Sequence, residues 1–130
     1  MRLWTFDKFQ SEPALYSPAM EARVPLRVAR SRQPAGHLPV SQAGLTLSRK
    51  GVMVTAFGED PDGNSGTLLR LWEQGGTSGP LTVTLPAGLK AAKAQPVSLR
   101  GEKTGQPIPI TDGKLTFNLP AYAPASFILQ

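Results

Sequence analysis

Proline and glycine interrupt this chain about once every five residues, 13 of each in 130, and such punctuation leaves room for short strands but not for long helices. From residue 43 the stretches between the breaks alternate apolar with polar residues. The plainest case is Leu81-Thr82-Val83-Thr84-Leu85, where the period of two buries one face and leaves the other wet. We therefore read an all-β fold, an antiparallel β-sandwich of about seven or eight strands over residues 41–130. The first 40 residues, with Pro13, Pro18, Pro25, Pro34 and Pro39, read as a partly ordered N-terminal extension that packs on the sandwich. No stretch signals a helix, and no segment repeats.

Individual elements follow from the same rules. Ala43 to Ser48, the tight turn Arg49-Lys50-Gly51 and Val52 to Gly58 form a hairpin signal, and Val52 to Phe57, apolar on both faces, suits a central strand. Thr67 to Glu73 should pair with it antiparallel. Beyond Leu81 to Leu85, one strand is placed around Val97 and Leu99 with Pro96 at its start, and another over Ile108 to Ile110. Asp112-Gly113 is a type I′ hairpin pair. Leu115, Phe117 and Leu119 then face inward, and Ala125 to Leu129 is the last strand. In the extension, Val24, Leu26 and Val28 alternate with Arg23, Pro25 and Arg27, a short strand that Pro25 confines to an edge.

Composition removes several function classes. The chain has no cysteine, so it has neither disulfides nor thiolate chemistry, and its single histidine, His37, leaves no pair for a metal or an ordinary serine triad. His37 itself reads as a loop residue, and no metal or other cofactor is expected. No run approaches a membrane span, and residues 1–10 lack the apolar centre of a signal peptide, so a soluble, cytoplasmic protein is expected, with no membrane partner. The net charge is +5, yet the basic residues are not gathered into a block, so no nucleic-acid partner is expected. Arg23, Arg27, Arg30 and Arg32 either bind a polyanion or form a solvated face.

Four groups of residues are candidates for sites. Arg70 and Trp72 lie two apart on one strand and share a face with Leu68, opposite Leu69 and Leu71. An exposed indole there can stack on a sugar beside a hydrogen-bonding guanidinium, or the two can form a cation–π pair beneath a neighbouring domain. Trp4, Phe6 and Phe9 either line a groove or plug a core edge. Asp60, Asp62 and Asn64 alternate as calcium ligands do, but Ser65 and Leu71 stand where an EF-hand needs Gly and Glu, so a polar hairpin loop fits better. The carboxylates Asp7, Glu12, Glu21, Glu59, Asp60, Asp62, Glu73, Glu102 and Asp112 mostly flank strands or sit in loops, without an evident apolar pocket to shape an acid/base pair.

The order of several segments resembles a known family. Leu45-Thr46-Leu47-Ser48, Gly51 to Phe57, the acidic Glu59-Asp60-Pro61-Asp62-Gly63 loop and Leu68 to Glu73 are similar to the C-terminal β-domain of family 38 glycoside hydrolases, the α-mannosidase family. So are Val97 to Gly101, Gly113 to Leu119 and Ala123 to Leu129. The likeness spans about residues 41–130, and more loosely Val24-Pro25-Leu26. A sandwich tail from another glycosidase family fits the same segments. The resemblance implies a fragment: the family's zinc and aspartate nucleophile belong to an upstream barrel with no counterpart here, so no catalytic residue carries over. The chain is then a truncated gene, a separate reading frame or an expressed piece of a larger protein.

The function expected is thus a non-catalytic sandwich supporting the catalytic domain of an α-mannosidase-like enzyme, with no enzymatic activity of its own. Its partner is that domain or another part of the glycosidase. An apolar face left open would also allow homo-oligomers. The alternative is a carbohydrate-binding module working through Arg70 and Trp72.

Overall fold

The computed structural model describes residues 3, 5–8, 17–25, 27, 28, 30, 41–61, 63 and 66–130. The chain divides into two compact units, Met1–Gln42 and Ala43–Gln130. In the first, a helix α1, Ser17–Arg23, stands where no helix was expected. Ala19, Met20, Glu21 and Ala22 include strong helix formers, and Pro18 falls in the first turn, where its missing N–H costs no bond. Val24 N donates to Met20 O at 2.8 Å, and Pro25 stops the helix. The short edge strand expected over Val24 to Val28 is absent among the described residues there. Three alternating residues are too brief a signal against Pro25, and Leu26 lies outside the described residues.

The second unit carries eight strands among the described residues: β1 Thr46–Leu47, β2 Val52–Glu59, β3 Thr67–Glu73, β4 Gly79–Thr84, β5 Lys93–Pro96, β6 Ile108–Thr111, β7 Lys114–Leu119 and β8 Pro124–Leu129. They form one continuous sheet in the order β1-β4-β7-β6-β5-β8-β3-β2, and every neighbouring pair is antiparallel. The antiparallel sandwich is present, but its two layers are halves of a single sheet. Strand β6 makes the corner: Ile108 and Pro109 pair with β5, then Ile110 and Thr111 pair with β7. Strands that pass from one layer to the other make such corners in packed sheets.

The core lies between the halves. Leu69 and Leu71 of β3, Ala94 of β5 and Phe127 and Leu129 of β8 meet Leu81 and Val83 of β4 and Leu115 and Leu119 of β7, all buried. Phe117 and Phe127 pack across the layers at a centroid distance of 4.7 Å. Each Leu so buried stabilises the fold by about 1.5–3 kcal/mol. Asp112 and Gly113 have φ of 50° and 69°, the signs a type I′ turn requires, so the β6–β7 hairpin forms as expected.

Three expectations are corrected. β1 and β2 are not a hairpin: β1 pairs with β4, β2 pairs with β3, and the turn between them joins the two ends of the sheet. Ser48 N bonds Thr82 O, while Gly51 O accepts from Gln74 N and Gly75 N, so the turn is tied to both halves. For the same reason β2 is terminal, not central: no strand lies beyond it among the described residues. Finally, the strand expected around Val97 and Leu99 lies earlier, at Lys93–Pro96. The chain after Pro96 turns back at Ser98–Glu102, where Ser98 N donates to Glu102 O and the Ser98 hydroxyl accepts from Arg100 N and Glu102 N.

Candidate functional site

Strand β3 sets out its side chains in two rows. Leu69, Leu71 and Glu73 point into the core, and Glu73 is fully buried there. A lone buried carboxylate is costly, and the turns around it supply what it needs. Its Oε1 accepts from Gly75 N at 3.0 Å and Thr77 N at 3.1 Å, and its Oε2 accepts from Gly76 N at 2.9 Å and Tyr122 N at 2.8 Å. Arg49 completes the arrangement, with Nη1 3.5 Å from Oε1 and donating to Thr77 O, and Nη2 donating to Leu119 O. Burial raises the Glu73 pKa, but the N–H groups of Tyr122, Thr77, Gly76 and Gly75 outweigh it and hold the carboxyl below its ordinary range.

One carboxylate therefore ties together three connections, β1–β2 through Arg49, β3–β4 through Gly75 to Thr77, and β7–β8 through Tyr122. Gly76 sits at φ 76°, where a side chain is strained, and a Cβ there would stand 2.5 Å from the Tyr122 hydroxyl, so the exposed Tyr122 ring would have to move. Tyr122 itself sits at φ 56°, a conformation that costs a non-glycine residue about 1 kcal/mol or more and that points its N–H at Glu73. With both oxygens engaged and a lowered pKa, Glu73 is an ionised structural anchor and a poor proton donor.

The other row of β3, Leu68, Arg70 and Trp72, faces away from the core. Register places Met53 and Pro124 on either side of Trp72, and Ala56 and Ser126 on either side of Arg70. The small residues of the second row leave a trough of about 350 Å³, walled by Trp72 and Pro124 on one side and Leu99 on the other. Trp72 is 48% exposed and Leu99 64%. Arg70 Nη2 donates to Leu99 O at 3.0 Å, which holds the guanidinium on the floor, while its Nε is buried with no acceptor. A second groove of about 330 Å³ adjoins the first, sharing Leu99, Pro124 and Ser126. No family model, curated protein or solved structure matches the chain.

Of the sequence candidates, the fold brings Arg70 and Trp72 onto one surface, as their spacing requires. Asp60 is buried, with its carbonyl accepting from Gly63 N; Asp62 and Asn64 lie outside the described residues, and no cluster of metal-ligating side chains occurs among the described ones. Phe6 is half exposed, and Trp4, Phe9, Glu12 and His37 lie outside the described residues. Arg23, Arg27 and Arg30 are exposed; Arg32 lies outside. Sequence reasoning grouped Glu73 with the flanking carboxylates and missed its role. The signal was present: the alternation that buries Leu69 and Leu71 also points Glu73 inward, just before a Gly-Gly turn whose N–H groups can converge on it.

Proposed function

We propose that this chain is the non-catalytic β-sandwich of an α-mannosidase-like glycoside hydrolase, a support for a catalytic domain carried elsewhere. The observation that carries the reading is the unfinished rim at β2. Val52, Val54 and Phe57 pair with Glu73, Leu71 and Leu69 and so face the core side of the sheet. Val52 packs against the core, but Val54 and Phe57 are 38% and 41% exposed. Core-facing apolar side chains at the end of a sheet suit burial under a further body, and a docked catalytic domain supplies one. Glu73, the carboxylate most deeply buried among the described residues, is consumed by structural bonds, which agrees with a non-catalytic role.

The test is to mix the purified chain with an α-mannosidase barrel that lacks its own terminal sandwich. Co-elution, lost in Phe57→Glu while the melting temperature of the isolated chain holds, supports the reading. Hydrolysis of an aryl mannoside by the chain alone, or co-elution indifferent to Phe57→Glu, overturns it. A second reading, a carbohydrate-binding module, is favoured by the trough itself, where an exposed indole stands beside a fixed guanidinium.

A further inference from the structure

The trough carries more chemical information than the presence of an aromatic ring. Neutral sugars present hydroxyl groups that both donate and accept, and a carboxylate or amide beside the donors is a strong way to hold them. Among the residues lining the trough and its neighbouring groove, none is Asp, Glu, Asn or Gln, and Arg70 is the one ionised group. Its guanidinium has five N–H donors. Leu99 O takes one, from Nη2; the buried Nε is beyond a ligand's reach, and the remaining Nη hydrogens offer a negative oxygen charge-assisted donors.

The rest of the lining fits a sugar ring better than a simple anion. The half-exposed Trp72 indole offers a flat apolar face, and Thr55 and Ser126 belong to the same lining. Arg70 and Trp72 are two residues apart on one strand, about 6.6 Å along it, a span that one pyranose ring with an exocyclic carboxylate covers.

We propose that the Trp72–Arg70 trough binds an acidic sugar, a uronate whose ring stacks on Trp72 and whose carboxylate pairs with Arg70. This rests on the binding-module reading and narrows it to one ligand class. The supporting role assigned to the β2 rim is independent of it.

The experiment is calorimetric titration of the full chain with methyl β-glucuronide and, separately, with methyl β-glucoside, which differs only in carrying a hydroxymethyl group in place of the carboxylate. Saturable binding of the glucuronide on the order of 1 mM, about tenfold tighter than the glucoside, is expected. Trp72→Ala should abolish both, and Arg70→Gln should bring the glucuronide down to the affinity of the glucoside. Trp72→Tyr and Arg70→Lys, which retain stacking and charge respectively, serve as second variants should either truncation lower the melting temperature. Equal affinity for the two sugars overturns the acidic class and leaves the binding module standing. Binding of neither sugar overturns both, and binding unchanged by either substitution places the ligand elsewhere and overturns the assignment to this trough.

Discussion

The two faces of β3 make an instructive pair, because each carries two or more apolar positions' worth of contact and one charge within the same seven residues. Inward, Leu69, Leu71 and Glu73 are all buried; outward, Leu68 is buried, Arg70 is partly covered and Trp72 is half exposed. Hydropathy alone would bury the tryptophan and expose the glutamate. What decides the matter is the supply of hydrogen-bond partners. Glu73 faces turns that offer four N–H groups, so its charge can enter the core. Arg70 meets one carbonyl of a surface loop, and Trp72 has only Met53 and Pro124 as cross-strand neighbours.

The largest effect should come from emptying the inner charge site. Glu73→Ala strands four N–H groups and leaves Arg49 without its carboxylate, and a loss of about 4 kcal/mol in urea unfolding is expected. A loss under about 1 kcal/mol would show that the turns hold themselves without the carboxylate. Next comes a matched pair on the two faces. Leu69→Ala, in the main core between the layers, should cost about 3–4 kcal/mol. Leu68→Ala should cost about 2 kcal/mol, because its small cluster with Val97 and Ile128 lies beside a loop that can close over the gap.

The third effect is one of pH. Because Glu73 is held below its ordinary value of 4.5, the unfolded chain takes up the proton first as pH falls. Stability from this group is complete above the unfolded value and is lost as pH drops through the folded one. The difference in stability between the parent chain and Glu73→Gln should therefore shrink on acidification from about pH 5 to about pH 3; a constant difference would count against an ionised Glu73. The smallest effect belongs to the outer face, where Trp72→Ala should lower stability by less than about 1 kcal/mol. A larger drop would mean the indole is a structural cover.

Much of the fold was legible because alternation is a local signal. Leu81 to Leu85, Leu115 to Leu119 and the Asp112-Gly113 turn could each be read from adjacent residues. The order of strands could not. Whether Val52 to Phe57 lies at the centre or the end of the sheet depends on β1 pairing with β4, Thr46 opposite Thr84 and Leu47 opposite Val83, a contact between segments more than thirty residues apart. Apolarity on both faces of β2, which suggests a central strand, instead marks an end strand whose core side is incompletely covered. The candidate pair Arg70 and Trp72 was readable because two residues on one strand share a face whatever the topology. The trough beside them was not, since its floor comes from Ala56 and Ser126 on two other strands and its wall from Leu99.

Strand β8 is the last of the eight to be synthesised, yet it lies between β5 and β3. Until it leaves the ribosome, the ladder groups of both neighbours that face it must wait in water, and Leu69 and Leu71 lack the Phe127 and Leu129 beside which they pack. Assembly of this half of the molecule is therefore a late and sudden event. The nascent chain has most need of a chaperone just before that event, when the other seven strands are already out.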